Sequence, residues 1–202
     1  LLGNGDGSFR PKSDFGTGNY PAAVAIGDLS GDGKPDLAVA NYSYGTVSLL
    51  PGNGDGTFGA STETGTANAP YAVAIADLNA DGLPDLAVTS VNSVSVLLGV
   101  GGGNFGANTD FVTGSYPLSV ATRDLNADGI LDLAVANDGS NSVSVLMGIG
   151  DGSFGPKTDF GTGSYPTSMA IADLNADATP DLAVANSGSG SVSVLLGTGD
   201  GT

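Results

Sequence analysis

Four acidic loops, almost evenly spaced, constrain this chain more than any other feature. The clearest lies in Val73-Ala-Ile-Ala-Asp77-Leu-Asn79-Ala-Asp81-Gly82-Leu83-Pro-Asp85-Leu-Ala-Val88, which reads as a strand, a tight turn and a second strand. Oxygen-bearing side chains fall at positions 1, 3, 5 and 9, with Gly at position 6. Alternate residues of a compact turn can aim their oxygens at one centre, and position 7 adds a backbone carbonyl. Three carboxylates within nine residues repel one another unless a cation sits among them. Hard oxygen donors without His or Cys favour Ca2+ over zinc or copper. A single copy of such a loop would leave room for the plainer reading of a hairpin turn built from Asp, Asn and Gly.

The candidate ligands are Asp28, Ser30, Asp32, Lys34 and Asp36 in the first loop and Asp77, Asn79, Asp81, Leu83 and Asp85 in the second. The third has Asp124, Asn126, Asp128, Ile130 and Asp132; the fourth has Asp173, Asn175, Asp177, Thr179 and Asp181. Lys34, Leu83, Ile130 and Thr179 stand at position 7, where only the carbonyl counts. Two loops depart from the pattern: Ser30 replaces the amide or acid at position 3, and Ala178 stands where Gly is expected. A left-handed Ala costs about 1 kcal/mol, so the fourth of up to four Ca2+ sites is expected to be the weakest.

The loop-opening aspartates 28, 77, 124 and 173 are spaced by 49, 47 and 49 residues, as are Phe9, Phe58, Phe105 and Phe154. A period of roughly 48 residues belongs to propeller blades and related arrays. Around each loop lie a short Ala/Val/Ile strand (22–26, 72–76, 119–122, 168–172), a second strand (37–40, 86–89, 133–136, 182–185) and an alternating Val-Ser-Val-type strand. A Gly-Asp-Gly-type hairpin then leads to Phe, and recurs at 49–58 with Pro51 read as an insertion. Helical periodicity is absent. The expected fold is all-β: a β-propeller of four blade-like repeats, each about four antiparallel strands. The repeats run roughly 16–64, 65–111, 112–160 and 161–202, with 1–15 as a latch strand for the last blade. Two chains sharing one ring, as a homodimer, or a longer propeller would use the same residues.

The motif Asp-x-(Asn/Ser)-x-Asp-Gly-x-x-Asp-Leu, the Ser-Val-Leu-Leu-Gly-x-Gly-Asp-Gly phrase and the Phe-Gly pairs at 58–59, 105–106 and 154–155 resemble the FG-GAP or VCBS repeat family. This blade type is also found in the propeller of integrin alpha subunits. The resemblance covers nearly the whole chain. It implies calcium-bearing blades with the metal loop joining the first two strands, and a role in extracellular binding or adhesion.

Composition narrows the remaining classes. The net charge is −16, from 21 acids against 5 bases, which argues against nucleic acid and anionic lipid as partners. Twelve of those acids belong to the loops, so four divalent cations would halve the charge. Cys, His and Trp are absent, removing thiol chemistry, the commonest general base and the best sugar-stacking platform. No apolar run approaches a membrane span. The start at Leu1-Leu2 reads as a mature segment or a piece of something longer. A secreted or cell-surface location is expected, because such loops fill where calcium is millimolar.

The first expectation is a non-catalytic binding module with an extracellular protein or glycan ligand. Tyr20, Tyr71, Tyr116 and Tyr165 are candidates for an aromatic rim, although packing at strand starts explains them more economically. Asn41, Asn137 and Asn186 could face a ligand or cap turns. The alternatives are a lectin, and an accessory propeller of an extracellular enzyme such as a polysaccharide lyase. The five bases, Arg10, Lys12, Lys34, Arg123 and Lys157, show no catalytic spacing, and the loop carboxylates are committed to metal. Gly99–Gly103 is a hairpin turn and not a phosphate cradle.

Overall fold

The structure, a computed structural model, describes residues 1–202. Its first blade is β1 (Pro21–Gly27), β2 (Asp36–Asn41), β3 (Thr46–Leu50) and β4 (Thr62–Gly65). The second blade is β5 (Val73–Ala76), β6 (Asp85–Thr89), β7 (Ser93–Leu97) and β10 (Thr109–Val112). Its connecting hairpin forms β8 (Gly99–Gly101) and β9 (Asn104–Phe105). The third is β11 (Pro117–Arg123), β12 (Asp132–Asn137), β13 (Ser142–Leu146) and β14 (Thr158–Gly161). The fourth has three strands, β15 (Pro166–Ala172), β16 (Asp181–Asn186) and β17 (Ser191–Leu195). Each blade is an antiparallel meander in chain order, and the only helical turn is 3-10, at Asp138–Ser140.

The blades stack face to face, and one rule governs all three interfaces. Leu29, Val47 and Leu49 of blade 1 pack on Leu86, Val88 and Leu97 of blade 2. Leu78, Val94 and Val96 then meet Leu133, Val135 and Leu146. Leu125, Val143 and Val145 meet Leu182 and Val184. Burying each such side chain is worth about 1.5–3 kcal/mol, so the loop Leu at position 2 doubles as a plug into the next blade. Small Ala residues of β2 and its counterparts, among them Ala38, Ala87 and Ala134, allow the close approach.

In the two inner blades the Val-Ser-Val alternation of the third strand is not inward against outward, since a neighbouring blade covers each face. Ser48, Ser95 and Ser144 are fully buried. Their hydroxyl oxygens accept the N–H of Gly18, Ala67 and Gly114. Ser95 and Ser144 also donate to Asp110 and Asp159 on the fourth strands, at 2.6 Å each. Asn41, Asn137 and Asn186 are buried as well, their Nδ2 groups donating to Ser48, Ser144 and Ser193. These asparagines brace the β2–β3 corner and its equivalents, and each keeps a buried Oδ1 without a hydrogen-bond partner.

Two sequence expectations are corrected by register. Pro51 is no insertion: Leu50 pairs with Leu37 as Leu146 pairs with Leu133, so Pro51 occupies the place of Leu98 and Met147. The last blade does not receive residues 1–15 as its fourth strand. That segment lies beside blade 1, with the Phe15 ring edge-on to Phe58 at 5.2 Å. Phe111 of blade 2 stands in the same relation to Phe154 of blade 3, at 5.3 Å. Residues 1–15 thus take the position of a blade preceding the first, at the opposite end of the stack from β17.

Candidate functional site: four acidic loops and a tyrosine rim

Each acidic loop joins the first and second strands of a blade, so all four emerge at the same end of the stack. The position-1 carboxylate folds the loop over itself: Asp28 Oδ2 accepts Gly33 N–H at 2.8 Å, and Asp77 and Asp124 accept Gly82 and Gly129 N–H at 2.9 Å. The position-5 carboxylates accept the N–H two residues on, at Lys34, Leu83, Ile130 and Thr179. Asn79, Asn126 and Asn175 each donate to the acid at position 5. In the first loop Lys34 Nζ pairs with Asp32 at 3.1 Å instead. The Lys34 side chain therefore stays beside the loop, where its ammonium and backbone N–H hold the Asp32 carboxyl below the usual range.

Position 9 has a role that spacing did not reveal. Asp36, Asp85, Asp132 and Asp181 are buried. One oxygen of each accepts the N–H of the loop Leu, at 2.7–2.9 Å. The other accepts the N–H of Gly52, Gly99, Gly148 or Gly197, which begins the next hairpin, at 2.6–2.8 Å. Those glycines are obligatory, since a Cβ would lie 1.9–2.4 Å from the carbonyl oxygen of Pro35, Pro84, Leu131 or Pro180. The recurring Gly after each third strand was the available signal. Burial pushes the Asp85 and Asp132 carboxyls up, and the neighbouring acids of their own loops add to the shift.

Position 6 is left-handed in every loop: Gly33 (φ 81°), Gly82 (83°), Gly129 (85°) and Ala178 (69°). Position 4 is left-handed too, and there Ala80, Ala127 and Ala176 carry a Cβ. The fourth loop alone bears two strained alanines.

No three acids converge as a ready-made cage. The donor set still fits a hard cation in two respects. Each ionised carboxylate oxygen bonded to one N–H retains acceptor capacity. Asp124 Oδ1 is also buried without any hydrogen-bond partner, an arrangement that costs free energy unless something fills it.

The opposite end of the blades carries the tyrosines. Tyr20, Tyr116 and Tyr165 are left-handed (φ 53°, 51°, 55°) and more than half exposed. Their carbonyls accept the N–H of Tyr42, Asp138 and Ser187. The Tyr116 and Tyr165 rings lie over Gly139 and Gly188. In blade 2 the matching left-handed residue is Ala69 (φ 56°), so Tyr71 is not the equivalent of the other three. Tyr71 instead stands edge-on to Tyr42 at 5.0 Å. Tyr42, Tyr71 and Tyr116, from three successive blades, line a recess of 20 Å³ with Ser90 and Pro117. Arg123 ends β11 exposed and forms no ion pair.

These acidic loops and stacked blades define a repeat propeller, and comparison with known proteins places it. The FG-GAP-like repeat model matches residues 1–39, 28–88, 77–135 and 124–184. The chain belongs to the FG-GAP-like repeat family, and its fold is a β-propeller of four blade repeats. No curated protein matches it in sequence. Among solved structures it is similar to an Agrocybe aegerita lectin recognising non-reducing terminal N-acetylglucosamine (22% identity, TM-score 0.61, 89% of this chain and 50% of that one). It is also similar to BBS1N in complex with ARL6DN (16%, TM-score 0.57, 90% and 55%). A third is the Photorhabdus luminescens Tc holotoxin pore (21%, TM-score 0.51, 85% and 9%). The chain spans about half the length of the first two.

Proposed function

We propose that this chain is a non-catalytic, calcium-stabilised propeller module that binds a protein or glycan outside the cell, alone or as an accessory part of a larger extracellular protein. The acidic loops carry the first half of this reading. Bound Ca2+ supplies charge neutralisation and a fixed strand connection, linking metal binding to folding. Asp77, Asn79, Asp81, Leu83 O and Asp85 would hold it in the second loop, Asp85 bracing the loop through its two N–H contacts as well. Their counterparts do so in the other loops. The fourth site is the weakest of the four, because Ala178 is left-handed at position 6 in addition to Ala176 at position 4.

The tyrosine face carries the second half and favours a glycan lying across the exposed rings, since the recess between them, at 20 Å³, admits no more than about one water. Aromatic faces with a polar edge suit the apolar faces and hydroxyls of a sugar, and three rings converge there from separate blades. The lectin among the similar structures is consistent with this reading. The test is a glycan array with the wild-type chain, Tyr71→Ala and Tyr116→Ala. Binding lost in both variants at unchanged melting temperature supports the reading. An array without hits, or binding indifferent to both changes, refutes the glycan assignment.

A further inference from the structure

Every blade repeats one small surface beside its acidic loop. The position-7 side chain lies against the hairpin that follows the third strand: Lys34 against Gly54, Leu83 against Gly99, Ile130 against Gly148 and Gly150, and Thr179 against Gly199. The hairpins share one register, in which Gly52, Gly99 and Gly148 pair with Phe58, Phe105 and Phe154. Their tips therefore correspond as Asn53, Val100, Ile149 and Thr198. Tip and position 7 are polar in blade 1 (Asn53 with Lys34) and in blade 4 (Thr198 with Thr179). In the two inner blades they are aliphatic: Val100 with Leu83, and Ile149 with Ile130.

The fold does not require the aliphatic version. Val100 and Ile149 are 64% and 58% exposed, so neither fills a core. Asn53 donates to Thr57 Oγ1 across its hairpin at 2.9 Å, a bond that Val100 and Ile149 forgo. Blade 2 goes further, with Gly102 standing where the other hairpins carry Asp55, Asp151 and Asp200. The tip around Val100 therefore bears no charge. The two aliphatic pairs belong to successive blades, whose sheets stack about 10 Å apart, and together they form an apolar stripe. Its surroundings are acidic: Asp77, Asp81, Asp124, Asp128 and Asp151 belong to the loops and hairpin beside it, against Arg123 in the same blades. Lys34 of the neighbouring first loop is already paired with Asp32. A calcium ion in each loop would still leave one negative charge per loop, so the acid surplus does not depend on filling.

We propose that the stripe formed by Leu83, Val100, Ile130 and Ile149 is a docking surface for a basic, amphipathic polypeptide segment of another protein. Aliphatic side chains of the segment pack on the two hairpin tips, and its Lys or Arg residues meet the flanking carboxylates. Opposite charge steers the encounter and suppresses acidic partners, while the desolvated apolar contact holds the complex. The same negative field disfavours anionic lipid. The stripe lies at the loop end of the blades, opposite the tyrosines, so it is separate from the surface assigned to a glycan.

The other blades supply substitutions that the fold already accepts. Val100→Asn and Ile149→Thr place at the inner tips the residue types of Asn53 and Thr198, and change no charge. The probe is a fluorescently labelled helical peptide with leucines on one face and lysines on the other, followed by anisotropy at physiological ionic strength. Losing two buried aliphatic contacts weakens binding by about tenfold or more, so the double variant is expected to bind that much less tightly at an unchanged melting temperature. A peptide of equal charge with serine in place of leucine is expected to bind the wild type as weakly. Should the double variant not fold, Ile130→Thr, the residue type of Thr179, tests the same stripe from the loop. No binding by the wild type overturns the proposal, as does equal binding by the variant, which leaves charge attraction only. Equal binding of a leucine–glutamate peptide overturns the basic partner. Retention on phosphatidylcholine vesicles that the double variant loses overturns the polypeptide and assigns the stripe to a membrane.

Discussion

Replacing Ala178 by Gly is expected to stabilise the protein, although the residue is exposed and the change removes a methyl group. Ala178 holds φ 69°, in a loop whose three counterparts are Gly at 81–85°. A left-handed L-residue costs about 1–2 kcal/mol. Gly regains roughly 0.4–1 kcal/mol of chain freedom in the unfolded state, which opposes the gain. The net stabilisation is about 0.5–1 kcal/mol, or roughly 1–4 °C in melting temperature for a domain of this size. A Cβ built at Gly33, Gly82 or Gly129 meets nothing within 4 Å, so the term is conformational and not steric. Gly82→Ala should therefore lower the melting temperature by a matching amount. Thermal unfolding followed by circular dichroism, with and without calcium, measures both. If Ala178→Gly destabilises while Gly82→Ala is neutral, backbone strain does not distinguish the fourth loop and the ranking of the sites loses its basis.

Other outcomes follow from the buried aspartates. Asp85→Asn keeps the shape but replaces an acceptor oxygen with an NH2 donor, leaving Leu78 or Gly99 N–H facing a donor. An unsatisfied buried group costs about 1–3 kcal/mol, read as a lowered urea midpoint; an unchanged midpoint refutes the brace. Without metal, the raised Asp85 and Asp132 carboxyls bind protons more tightly in the native state than in the unfolded chain. Their effect on stability is most favourable below pH 3.8 and is lost as pH rises through their folded values. Asp32 and Asp177 are held low by the hydroxyl, ammonium and amide groups around them, and lose their contribution as pH falls below 3.8. Melting in chelator is thus expected to rise on mild acidification from neutral pH and fall again below pH 3.8. With calcium bound, acidification displaces the ion and lowers stability throughout. Curves of the same sign in both conditions refute the linkage.

The repeat spacing made the blades legible, because each strand sits where its Ala/Val/Ile run and flanking Asp-Gly turns put it. The left-handed position 6 was legible from Gly, and its departure at Ala178 from the same pattern. Position 4 was hidden because three loops place Ala in a conformation that Gly normally marks. The double hydrogen bond of Asp85 was hidden for another reason: its partner Gly99 comes from a different strand connection. Tyr71 misled through its order, Pro-Tyr in place of Tyr-Pro, which shifts the ring from a strand start to a contact with Tyr42. The exposure of the last blade's face could not be read, since Val194 is the same residue type as its buried counterparts Val96 and Val145.

The most direct test of the account is calorimetric titration of the chelated chain with Ca2+, paired with thermal unfolding before and after. The account predicts several filled sites per chain, one of them weaker than the rest, and a large rise in melting temperature on filling. Absence of binding heat together with an unchanged melting temperature would contradict it, leaving the four acidic loops as turns held by their own backbone hydrogen bonds.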